Sequence, residues 1–171
     1  MDCRQARSAT RGTLLPLLLV LLCPPPSLVR AQNTAKYHAT LLGSEVIPPV
    51  NTNAHGTADF TFSQHDRSWT CDYSISVFNL SNINTVEAHQ APRASNGDLV
   101  YYLYGPVESP SSTEVNGVLV TGTIDKSQLK GPLRNKDVKD LKDRADDGDL
   151  YVLVVNMQYP NGALRGQVVP A

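Results

Sequence analysis

Glu87 and His89 stand two residues apart in Thr85-Val86-Glu87-Ala88-His89, a stretch that reads as a strand. On a strand, residues i and i+2 share one side, so a carboxylate and an imidazole lie within reach of each other. Such a pair can share a proton or an ion. The plainer reading is a partly exposed polar pair at a strand end. Asp146-Asp147-Gly148-Asp149 offers oxygen ligands of the kind hard cations take, but without the spacing of an EF-hand loop. A helix end with its glycine cap and solvated acids explains it more simply.

Other chemistry-bearing residues stand alone. Cys71 falls in an alternating strand pattern and reads as a buried, inert thiol; a disulfide to a second chain is the other reading. No serine sits in a Gly-x-Ser-x-Gly turn and no glycine-rich phosphate loop is present. Arg165 carries a planar five-donor fork, suited to tying several carbonyls or a carboxylate. Asn79-Leu80-Ser81 is an N-glycosylation sequon; alternatively Asn79 is too buried or too tightly turned to be modified. Tyr101, Tyr102 and Tyr104 form an aromatic cluster, with Tyr102 and Tyr104 on one face and Tyr101 on the other. His38, His55 and His65 lie in separate segments, and nothing in their spacing pairs them.

The elements that position these residues are short strands. Alternation predicts strands over Tyr37–Leu42, Gly56–Phe62, Trp69–Leu80, Thr85–His89, Leu99–Tyr104, Val118–Ile124, Tyr151–Met157 and Ala163–Val169. Along the third of these, Cys71, Tyr73, Ile75, Val77 and Asn79 would share a side. His65-Asp66-Arg67-Ser68 and Tyr159-Pro160-Asn161-Gly162 read as turns, Asn82-Ile83-Asn84 as a connection, and Gly122 as a bulge or close approach. Val138, Leu141 and Ala145 follow helical spacing, with Asn135 or Asp137 as the starting cap and Gly148 past the end. The expected fold is all-β: an antiparallel Greek-key β-sandwich or barrel of about seven to eight strands, with one short helix.

Residues 1–31 have the three parts of a secretory signal peptide. Arg4, Arg7 and Arg11 give a basic start, Leu14 to Cys23 an apolar run, and Val29-Arg30-Ala31 a cleavage site. The apolar run is about half the roughly 20 residues a spanning helix needs. Residues 32–171 then form one domain, with 11 basic against 15 acidic residues and a net charge of −4 with His neutral. Such a surface has no general attraction for nucleic acid. Cys3 and Cys23 leave with the leader, so the fold rests on its core and not on an internal disulfide.

Several phrases in order resemble the chordin-domain (CHRD) family. They run from Leu41-Leu42-Gly43-Ser44-Glu45-Val46-Ile47-Pro48-Pro49-Val50 through Gly56-Thr57-Ala58 and Val77-Phe78-Asn79-Leu80-Ser81. Ala88-His89, the Gly117–Ile124 phrase, Asp149-Leu150-Tyr151-Val152 and Asn161-Gly162-Ala163-Leu164-Arg165-Gly166-Gln167 complete the series. The resemblance implies a β-rich extracellular domain, found alone in microbial and plant proteins and repeated in chordin, an antagonist of a secreted growth factor. It also implies that Arg165 is structural, pinning a loop such as the one near Pro48-Pro49. Family members carry a His-x-His pair in the strand leading to the loop and a third His in the penultimate strand, a plausible transition-metal set. Here His89 matches the second His, Glu87 replaces the first, and Val155 occupies the third position. Glu87 can bind an ion through oxygen, and Val155 cannot bind one.

The leading expectation is a secreted module without catalysis or cofactor, binding an extracellular protein or matrix component or serving a structural role there. The alternative is a metal-dependent redox or hydrolytic protein using one transition-metal ion at His89 and Glu87. A growth-factor binder is a third reading, weakened by the single domain and the lack of cysteine-rich modules. The partner and the oligomeric state are left open by the sequence.

Overall fold

The computed structural model describes residues 33–171, so the signal-peptide segment 1–31 lies outside the described residues. Nine strands are present: β1 (Asn33–Leu42), β2 (His55–His65), β3 (Ser68–Leu80), β4 (Ile83–Gln90), β5 (Asp98–Tyr104), β6 (Val115–Thr123), β7 (Leu150–Asn156), β8 (Leu164–Gln167) and β9 (Val169–Pro170). One α-helix, α1 (Val138–Asp146), and three single 3-10 turns at Gly43–Glu45, Lys126–Gln128 and Gly131–Leu133 complete the elements of the described residues.

Alternation decides what each strand buries. Tyr37, Ala39 and Leu41 of β1, Ala58, Phe60 and Phe62 of β2, and Cys71, Ile75 and Val77 of β3 all point into the core. Antiparallel register aligns them in rows, with Ala39 opposite Ala58 and Ala58 opposite Ile75. The strands form one path in the order β5-β4-β7-β8-β1-β2-β3-β6, and β9 adds to β1. Between a sandwich and a barrel, the result is a nearly closed, barrel-like antiparallel sheet. Across its gap, Tyr73 of β3 donates a hydrogen bond to the Leu103 carbonyl of β5 (2.8 Å). Gly122 of β6 makes room for that ring, since a Cβ there would lie 2.7 Å from the Tyr73 hydroxyl. Lys130 N–H donates to the Val100 carbonyl (2.8 Å), so the segment after β6 covers part of the β5 edge.

The helix forms where helical spacing predicts it. Asp137 accepts from Lys139 N–H (3.3 Å), and the Asp140 carboxylate accepts from Asp137 N–H (2.8 Å), a reciprocal cap. Gly148 follows the end at φ +74°. Val138, Leu141 and Ala145 are buried beneath it. Lys142 reaches across the rings of Tyr37 and Trp69, with its ammonium 5.8 and 5.5 Å from their centroids. The same ammonium pairs with Asp146 at 2.7 Å, and Tyr37 donates its hydroxyl proton to Asp146.

Four expectations need correction. Asn79 does not continue the inward row of β3: its φ is +57° and the β3–β6 register shifts between Phe78 and Leu80. Leu80 therefore turns inward and Asn79 is exposed. Ile83 and Asn84 begin β4 instead of belonging to a connection. The last strand is broken after Gln167, and the two-residue β9 pairs with β1 at Tyr37 and His38. Finally, β1 starts at Asn33, earlier than its apolar residues show, because backbone pairing with β2 runs on to Gln64.

Candidate functional site: a polar layer beneath two loops

Val86 and Ala88 of β4, Val152 and Val154 of β7, and Leu164 of β8 face the core. The opposite face of these three strands carries Glu87, His89, Tyr151, Arg165 and Gln167. Register places His89 opposite Tyr151, Glu87 opposite Leu153, and Leu153 opposite Arg165. Two loops lie over this face: residues 43–50, after β1, and residues 91–97, between β4 and β5.

The hydrogen bonds of the layer run in a chain. Thr85 donates to Glu87 Oε1 (2.8 Å), and Glu87 Oε2 lies 2.8 Å from His89 Nε2. His89 Nδ1 is 2.9 Å from the Gly97 carbonyl. A carbonyl can only accept, so Nδ1 carries a proton. Burial works to raise the Glu87 pKa, but hydrogen bonds from His89 and Thr85, with the attraction of His89, hold it below the ordinary carboxylate value. The His89 ring stacks on Tyr151 at 5.1 Å between centroids, and the Tyr151 hydroxyl accepts a hydrogen bond from Gly97 N–H (3.1 Å).

Arg165 lies at the centre and is 1% exposed. Its guanidinium carbon sits 4.0 Å from the Tyr151 ring centroid. One terminal nitrogen donates to the Glu45 carbonyl of the first loop (3.2 Å), the other to the Ser95 carbonyl of the second (2.9 Å). Gln167 Oε1 lies 3.5 Å from that second nitrogen, and Gln167 Nε2 donates to the carbonyls of Ala91 (3.1 Å) and Gly148 (2.6 Å). Asn96 ties the loops directly, donating to the Ile47 carbonyl (3.2 Å). Chemically, the layer grips loop backbone from below.

His89 and Glu87 are thus brought together with each other and with the loop. Both imidazole nitrogens are engaged, so an ion at His89 would displace Glu87 or Gly97. Val155 faces Thr85 across the strands, two residues beyond the partner of Glu87. Among the described residues, no group of three or more His, Cys, Asp or Glu side chains converges as a metal site. Asn79 lies elsewhere, exposed at the end of β3, with its N–H donating to Asn116 Oδ1 (3.0 Å). Cys71 is buried on the core side of β3, and burial pushes its thiol pKa far up. Asp146 is paired with Lys142 and Asp147 with Arg144. Sequence reasoning did not single out Tyr151, Gln167 or Gly97; the register of β4 against β7 is the signal that brings Tyr151 to His89.

The sequence matches the family described as CHRD domain over residues 37–168. No curated protein and no solved structure matches the chain. Among the described residues, no helix is long and apolar enough to cross a membrane.

Proposed function

We propose, from the premise that this chain belongs to the CHRD-domain family, that it is a secreted, non-catalytic module that binds an extracellular protein or matrix component. Loops 43–50 and 91–97 form the binding surface. The observation that carries this reading is the placement of Arg165. A buried five-donor side chain is used to fix the backbone of both loops, and His89, Tyr151 and Gln167 hold the second loop in the same way. Loops held from below lose little conformational freedom when a partner arrives, which favours binding. The basic start, apolar run and cleavage site of residues 1–31 support export.

The test is capture from extracellular material with the domain lacking residues 1–31. A partner kept by the parent and lost with Ile47→Asp and Ala94→Asp, both folded, supports the reading. A partner unaffected by these loop changes would place recognition elsewhere. Elemental analysis of protein prepared without chelators tests the alternative. About one transition-metal ion per chain, lost with His89→Ala, would replace the binding reading with a metalloprotein.

A further inference from the structure

Between the two loops lies a hollow of about 430 Å³, bordered by Ser44, Glu45, Pro49, Arg93, Ala94 and Arg165. Its charges do not balance. Arg93 and Arg165 both border it, while Glu45 is the one carboxylate among the bordering residues. Glu45 is engaged by Arg93, with Nε 3.4 Å from its Oε2, and Arg93 is 69% exposed at the rim. Arg165 is buried, and its hydrogen bonds go to two carbonyls and an amide oxygen. Its Nε has no hydrogen-bond partner among the described residues. Among the described residues, Glu45 is the one carboxylate that acts on Arg165, so two arginines share a single counter-charge across the hollow, and the buried one meets otherwise neutral acceptors. Burial accordingly loosens its hold on its proton. All this sits on a domain whose net charge is −4 over residues 32–171, so the hollow is basic against an acidic background.

We propose that this hollow takes a carboxylate, held by the exposed fork of Arg93 and by the field of Arg165 beneath it. The proposal deepens the binding reading, since an acidic side chain of a protein partner is one source of the group; a small free acid is the other. A planar carboxylate suits the exposed arginine fork, and the buried charge of Arg165 beneath adds an attraction that solvent screens less than at the rim. Glu45 shares Arg93 with the incoming group and limits the site to a single negative charge.

The experiment is a titration of the domain with sodium acetate and, separately, with a short blocked peptide carrying one glutamate. Side-chain NMR signals of the arginines are followed, with sodium chloride at matched ionic strength as control. The expected result is saturable shifts of Arg93 and Arg165 with the carboxylates and none with chloride. Arg93→Ala, a change at an exposed position, should weaken binding about tenfold while the fold stays intact. A tighter peptide than acetate would assign the group to a protein partner, and equal affinity to a free acid; either supports the site. Non-saturable shifts, equal shifts with chloride, or an unchanged affinity in Arg93→Ala would overturn it. The titration needs no partner protein, so carboxylate binding with no captured partner would leave the hollow standing and remove the binding-module reading.

Discussion

Arg165 lies against the ring of Tyr151, its guanidinium carbon 4.0 Å from the ring centroid, and each of the two side chains also holds backbone of the loop at residues 91–97. The stack orients the guanidinium so that its two terminal nitrogens reach different loops. Lysine has neither the flat face nor the fork. Arg165→Lys is therefore predicted to cost about 2–4 kcal/mol, from unpaired loop carbonyls and a poorly seated charge. Urea unfolding measures it, and a variant as stable as the parent would remove the pinning role.

Tyr151→Phe separates the stack from the hydroxyl. The ring remains between His89 and Arg165, while Gly97 N–H loses its acceptor. A loss of about 1 kcal/mol is expected, with faster hydrogen exchange at the Gly97 amide than at amides of the β2–β3 pair. Uniform exchange rates before and after the change would show that the loop is held by other means.

Glu87 ties stability to pH. Its folded pKa is depressed below the ordinary value of 4.5, so below that value the unfolded chain binds more protons than the folded one. Its contribution is fully present above the unfolded pKa and is lost as pH falls through the folded pKa. Stability should fall on acidification below about pH 5, less steeply in Glu87→Gln. Parallel pH profiles for the two proteins would contradict this assignment.

Asn79 is predicted to carry a glycan when the full chain passes through a eukaryotic secretory pathway. It is exposed at the end of β3, in the left-handed conformation that asparagine tolerates. Digestion with an amide-cleaving glycosidase should shift the mass of the secreted protein, and Asn79→Gln should abolish the shift. Secreted protein with no such shift in the parent would refute the modification while leaving export intact.

Local signals carried much of the fold. Val138, Leu141 and Ala145 predicted α1, Asp137 capped it, and the turn at Asp66-Arg67 joined β2 to β3. What sequence could not supply was contact at a distance. Tyr37 meets Asp146 across 109 positions and Arg165 meets Glu45 across 120; no spacing rule connects them. The pairing of Glu87 with His89 was legible because both lie on one strand. Their stacking and loop partners depend on register, which short alternating strands leave underdetermined until neighbours are chosen. Asn79 shows how a single residue defeats alternation: one left-handed turn moved it out of the inward row.

The burial of Cys71, the one cysteine among the described residues, separates folding from address. The described domain has no covalent cross-link to gain on entering an oxidising compartment and none to lose in a reducing one. Under the proposed export, the compartment sets where the domain works, while folding rests on its core in either setting. On that proposal, a copy kept inside would close the same core around the same buried thiol as a copy sent out.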